Sequence, residues 1–145
     1  WWSRRITSPQ AAKTHVEAVI ERVEAGRDVQ YRIVDAESDE ASMIGTVALY
    51  DIKQREASMG YWLAADRQGM GYATRAAARL LTYAQSVLDL QTIHLHIARG
   101  NTDSQRVAQR LEFERVLAYR RKVRDNELPL TPGEEHIIDL WEAHL

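Results

Sequence analysis

The 145-residue chain carries 45% hydrophobic and 28% charged residues, the make-up of a soluble globular chain that can bury a core, and its length fits one domain over residues 1–145. A net charge of −2 and a pI near 6.2, without a long basic run, exclude the electrostatic footprint of a duplex nucleic-acid binder. The absence of cysteine excludes disulfides, a thiolate nucleophile and Cys-type zinc sites, so acyl chemistry has to proceed without a cysteine-linked intermediate.

"SPQAAKTHVEAVIERVEAG" (8–26) reads as a helix capped by Ser8, with Pro9 at its first position and Gly26 as its stop. Val16, Val19, Ile20 and Val23 recur at helical spacing as one apolar stripe, and His15 stands beside it as a boundary residue. "VQYRIVDA" (29–36), "SMIGTVALYDI" (42–52) and "EASMGYWLA" (56–64) read as three strands of an antiparallel meander, the first two joined by the acidic turn "ESDEA". A helix follows from about Gly71 to Leu88, with Ala73, Ala77, Leu80, Ala84 and Val87 along one face. "QTIHLHIA" (91–98) alternates, with Ile93, Leu95 and Ile97 on one face and Thr92, His94 and His96 on the other. "NTDSQRVAQRL" (101–111) is a short helix with polar capping residues, on whose buried stripe Ser104 joins Ala108 and Leu111. "FERVLAYRRKV" (113–123) and "HIIDLWEA" (136–143) are strands joined by a loop containing Pro and Gly. "YRRKVR" (119–124), the densest basic stretch, reads as a solvated face. No segment reaches roughly 18 consecutive apolar residues and no signal peptide is visible, which points to the cytoplasm and away from a membrane. The opening Trp1-Trp2 suggests an upstream stretch beyond this sequence, and these residues together with the final "LWEAHL" offer aromatic surface for a homodimer.

The stretch "DRQGMGYATRAAARLL" (66–81) places Gly69, Gly71 and Ala73 where a polar loop becomes a helix, at positions usually held by a capping side chain. A helix N-terminus offers free backbone N–H groups and about half a positive charge, and glycines there let an anion approach the main chain. A Walker A loop fails because Tyr72 and Ala73 follow Gly71. A dinucleotide fingerprint fails because Thr74 stands at its third glycine position. The pattern Q/R-x-x-G-x-G/A is met by Gln68, Gly71 and Ala73.

In this context "MGYWLAADRQGMGYATRAA" resembles the acetyl-coenzyme A loop of GNAT-type N-acetyltransferases, in particular the RimJ/RimL-like branch. "NTDSQRVAQRLEF" is similar to the family's second signature, and the likeness runs from residue 8 to 142. The resemblance implies an α/β GNAT fold, a mixed and mostly antiparallel sheet with helices on both sides, whose first strand would lie before Trp1. It implies acetyl-CoA as co-substrate and no metal. Gln68, Gly69, Met70, Gly71, Tyr72, Ala73 and Thr74 would wrap the pyrophosphate. Trp62, Leu63 and Ala64 would run beside the pantetheine arm, where this strand splays from the one at 92–98. Asn101 and Ser104 would meet the thioester end.

Acyl transfer to an amine needs a neutral amine, donors for the developing oxyanion and help for the departing thiolate. An α-amine with a pKa of about 8 is roughly one-tenth neutral at pH 7, whereas a lysine amine near about 10.4 needs far more help. The family's residues for these roles are only partly present. Its glutamate two residues before "GYW" is Ser58, with Glu56 on the same strand face. Its helix tyrosine is Ala108, which leaves Ser104 as the donor. The base of the RimL-like branch falls near Val123, and "LGF" reads "LEF" with Glu112. Catalytic candidates are therefore Ser104, Glu56 and Ser58, while His96 and His136 line the acceptor side and remain candidates for the base. His94 and His96 lack a third ligand for a metal, and His136 and Asp139, three apart on a strand, face opposite ways. The expected activity is acetyl transfer to a protein N-terminal α-amine, such as that of a ribosomal protein. The alternatives are a polyamine, amino-acid or aminoglycoside acceptor, or a CoA-binding module without catalysis.

Overall fold

A computed structural model describes residues 3–4, 8–35, 42–122, 127–128 and 135–145. Its elements are β1 (Ser3–Arg4), α1 (Pro9–Glu24), β2 (Val29–Val34), β3 (Met43–Lys53), β4 (Glu56–Leu63), a 3-10 turn (Ala65–Arg67), α2 (Tyr72–Ser86), β5 (Thr92–Ala98), α3 (Thr102–Arg110), β6 (Glu114–Lys122), β7 (Glu127–Leu128) and β8 (Glu135–His144). Six strands form one sheet in the order β2-β3-β4-β5-β8-β6, while β1 and β7 pair separately. The expected meander is present as β2-β3-β4, antiparallel throughout. The "ESDEA" turn and residues 125–126 and 129–134 of the 125–135 loop fall outside the described residues, as do Trp1 and Trp2 and their suggested role in a dimer, whereas 127–128 form β7.

Alternation places the core. On β5, Ile93, Leu95 and Ile97 are buried against Ala77, Leu80 and Ala84 of α2 and Ala108 of α3, together with Leu49, Met59 and Trp141 from neighbouring strands. Small residues on the buried face of α2 let its axis sit close to the sheet. Val87, expected on that face, lies past the last turn of α2 and is exposed. Gly45 is required by a close approach, because a Cβ there would stand 2.2 Å from the carbonyl oxygen of Trp62.

Local rules set the helix ends. Ser8 Oγ accepts from the Ala11 N–H at 3.1 Å and Pro9 opens α1, as the sequence indicates. The stripe expected on α1 is not buried, however, since no residue of the helix is buried and Val16, Ile20 and Val23 are all exposed. Its tie to the sheet is ionic at the C-terminal end, where Arg22 Nε donates to Asp28 Oδ2 at 2.6 Å and Nη2 to Asp51 Oδ1 at 2.7 Å. The end of α3 is a Schellman motif, with the Phe113 N–H on the Ala108 carbonyl and the Glu112 N–H on the Gln109 carbonyl. Glu112 adopts φ +60° there, which accounts for the glycine of the related "LGF" pattern.

Candidate active site

Among the described residues β4 and β5 are the one parallel pair of the sheet, and they pair over three rungs, Glu56–Thr92, Ala57–Ile93 and Ser58–His94. From Met59 onward β4 has no partner on that side, so main-chain donors and acceptors turn into the gap. The gap is a cleft of about 570 Å³, lined by Met59, Gly60 and Tyr61 of β4, Leu95, His96, Ile97 and Ala98 of β5, Gly100, Asn101 and Ser104 at the start of α3, Gln68, and His136 of β8.

Beyond Gln68 lies the glycine turn. Gly69 has φ +76° and Gly71, the N-cap of α2, has φ +78°. A Cβ on Gly69 would meet nothing within 4 Å, and one on Gly71 would meet only the Arg75 guanidinium at 3.9 Å. The glycines thus serve a left-handed backbone beneath open space. The N-cap makes no side-chain hydrogen bond and the first turn holds no acid, so the leading amides at Tyr72, Ala73 and Thr74 lack an upstream carbonyl partner. Arg75 stacks over the Tyr72 ring at 4.8 Å, and Thr74 Oγ1 is buried without a hydrogen-bond partner. An open turn of this kind beside a cationic side chain fits a phosphate-bearing group.

The splay begins earlier than the sequence indicates. Met59–Tyr61 line the cleft, whereas Trp62 is 46% exposed and Leu63 and Ala64 stand outside the lining. Met70 is exposed. Gln68 ties loop to strand, its Nε2 donating to the Leu63 carbonyl at 3.1 Å.

Asn101 and Ser104 come together at the inner end. Asn101 Oδ1 accepts from the Ser104 N–H at 3.1 Å and caps α3. Tyr61 Oη, which pattern reading passed over, donates to the Ser104 carbonyl at 3.4 Å. Burial pushes its pKa up to about 12, so the phenol keeps its proton. Ala108, where the related pattern has a tyrosine, is fully buried under the sheet, and Tyr61 brings a hydroxyl to the same helix from the strand side. The alternation of β4 assigns Tyr61 to the face of Met59, but that its hydroxyl meets α3 depends on how closely the helix packs.

On the opposite sheet face, His96 Nδ1 lies 3.0 Å from Tyr119 Oη, and Ser58 Oγ lies 3.5 Å from Nε2. Burial above all, then His94 and Arg121, lowers the pKa of His96 below its ordinary value. Glu56 is not brought to the cleft: it is exposed in the closed part of the β4–β5 pair. Val123 lies outside the described residues. His136 lines the cleft, while Asp139, on the other face of β8, is 1% exposed and held by Arg99 Nη2 at 2.6 Å. Arg99, by its hydrogen bond, holds the Asp139 carboxyl below the usual carboxylate range. Among the described residues no helix is long and apolar enough to cross a membrane, and no cluster of three or more His, Asp or Glu is placed to hold a metal ion.

Residues 1–114 match the family described as "Acetyltransferase (GNAT) domain". The chain belongs to the GNAT family. That family uses acetyl-CoA. Over 120 residues the chain is 31% identical to "Putative ribosomal N-acetyltransferase YdaF" of Bacillus subtilis (strain 168), covering 77% of this chain and 62% of that protein. The chain spans less than two thirds of the curated relatives it matches. Among solved structures, "Mycobacterium smegmatis RimJ in complex with CoA-disulfide" superposes with a TM-score of 0.75 at 21% identity, covering 93% of this chain and 61% of that one. The spermidine/spermine N-acetyltransferase SpeG from Vibrio cholerae, in complex with manganese ions, superposes with a TM-score of 0.73 at 21% identity, covering 91% of this chain and 74% of that one. At these identities the likeness is one of fold.

Proposed function

We propose that this GNAT chain is an acetyl-CoA-dependent N-acetyltransferase whose acceptor is a primary amine, a protein N-terminal α-amine in preference to a polyamine. The observation that carries the reading is the continuity of the open glycine turn at Gly69–Thr74 with the β4–β5 cleft. An anion-receiving helix start thereby leads directly to a strand edge with unpaired main-chain groups. That combination suits a ligand with a phosphate at one end and an extended amide-bearing arm at the other. In this reading the amides from Gly69 to Thr74 receive the phosphates, the edge from Met59 to Tyr61 pairs with the arm, and Ser104 and Tyr61 are the hydroxyls nearest the departing sulfur. The chain lacks cysteine, which rules out a cysteine-linked intermediate and suits direct attack of the amine on the thioester carbonyl.

The preference for an α-amine rests on charge. Among the described residues the cleft lining contains no carboxylate, whereas a polyamine brings several ammonium groups that lose hydration on entry and need anionic partners. An α-amine brings one group, of which about a tenth is neutral at pH 7. The name of YdaF, a putative ribosomal N-acetyltransferase, accords with this acceptor class.

The test is thiol release from acetyl-CoA by the full chain, presented with peptides bearing free or blocked N-termini, with spermidine and with an aminoglycoside. The protein adds no thiol background. Turnover confined to free peptide N-termini is the expected result. Turnover confined to spermidine overturns the acceptor assignment, and tight CoA binding without turnover of any amine reduces the chain to a binding module.

A further inference from the structure

A hydroxyl stands where the related pattern carries a glutamate, so the chain needs another group to take the proton from the attacking amine. Resting on the acetyltransferase reading above, we propose that His96 of β5 is that group and that Tyr119 of β6 is its positioning residue. His96 lines the cleft where β4 and β5 part, on the sheet face turned away from α2 and α3. Its Nδ1 is 3.0 Å from Tyr119 Oη, and the two rings meet edge to face with centroids 6.2 Å apart. With the proton on Nδ1 and donated to Tyr119 Oη, Nε2 becomes the basic nitrogen, and this is the atom that faces Ser58 Oγ at 3.5 Å. In that tautomer the phenol accepts from Nδ1 and fixes the ring plane. Ser58 cannot itself take up a proton at neutral pH, but it borders the nitrogen that can.

The amine nitrogen bonds to the thioester carbonyl carbon and passes one proton to His96 Nε2. The C–S bond breaks, the sulfur leaves with its electron pair, and the proton returns from the imidazolium to solvent while the thiolate is protonated. A base for this step has to be unprotonated at working pH and is most effective with a pKa near it. Around His96, burial, His94 and Arg121 disfavour the imidazolium, and other titratable groups share this face. His94 lies on its own strand, with Glu142 of β8 held between His94 and His144. His136 of β8 and Arg121 of β6 occupy the same sheet face, and Glu56 of β4 lies two residues before Ser58. Burial, with His94 and Arg121, lowers the pKa of the ring below its ordinary value, so the base is present at pH 7 and is lost as pH falls through that lowered pKa.

The experiment compares wild type, His96→Gln and Tyr119→Phe as full chains. It measures CoA affinity and the pH profile of kcat with whichever amine the wild type accepts. His96→Gln is expected to keep CoA affinity, lose about 100-fold in kcat and lose the acid-side fall of the profile. Tyr119→Phe is expected to lower kcat several-fold and move that fall to lower pH, which a purely structural role would not do. Activity of His96→Gln within twofold of wild type, with the acid limb intact, overturns the proposal. If His96→Gln fails to bind CoA, Tyr119→Phe decides alone, and an unchanged limb there overturns it. An enzyme that accepts spermidine and not peptides defeats the α-amine reading yet leaves this comparison valid. An enzyme that accepts no amine defeats both.

Discussion

Glu112 shows how one side chain can sit against its own backbone. At φ +60° it occupies the C′ position of α3, where a Cβ crowds the following carbonyl and glycine is relieved of that clash. Both Schellman hydrogen bonds are nonetheless made and the side chain is exposed, with no hydrogen bond or ion pair to it among the described residues. Glu112→Gly is expected to raise stability by about 1 kcal/mol, seen as a higher urea midpoint with an unchanged slope. An unchanged or lower midpoint would mean that Glu112 has a compensating contact in solution. The mismatch between "LEF" and "LGF" is visible in the sequence, but only the backbone angle says what it costs.

At the scale of elements, α1 separates pattern from burial. Val16, Val19, Ile20 and Val23 repeat at helical spacing as one apolar stripe, yet no residue of α1 is buried and Arg22 holds its end by charge. Ile20→Gln in this chain is therefore expected to change unfolding free energy by less than about 0.5 kcal/mol. A loss above about 1.5 kcal/mol would show the stripe covered in solution. The strands are easier to read, because alternation on β5 is set by its own side chains: Ile93, Leu95 and Ile97 are buried as expected. The order of strands is not readable in the same way. β8 enters between β5 and β6, and this insertion brings Tyr119 to His96 across an intervening strand. No local period encodes a neighbour two strands away. For the same reason the glycine turn can be recognised from its residues, whereas Tyr61 cannot be assigned to the site without knowing where α3 packs.

For the molecule as a whole, Asp139 is the acid-sensitive tie. It lies on a central strand, is 1% exposed, and accepts from Arg99 at 2.6 Å, with Arg115 3.7 Å away. Its native pKa is lowered by these arginines, so its contribution is complete above the unfolded value of about 3.9 and is lost as pH falls through the native one. Asp139→Asn is expected to lower stability by about 2 kcal/mol at pH 7. Its urea midpoint should converge with that of the parent in strong acid, where both carry a neutral side chain. A difference that persists unchanged there would assign the loss to packing rather than charge.

The three rungs between β4 and β5 have a mechanical meaning as well. The sheet is two antiparallel ribbons, β2-β3-β4 and β5-β8-β6, stitched along a short seam with a wedge-shaped opening above it. A molecule lying in that opening would be bonded to both ribbons at once and would act as mortar between them. Loading the cleft should therefore stiffen the protein most in amides that border the wedge, and should do so before any bond in the ligand is broken.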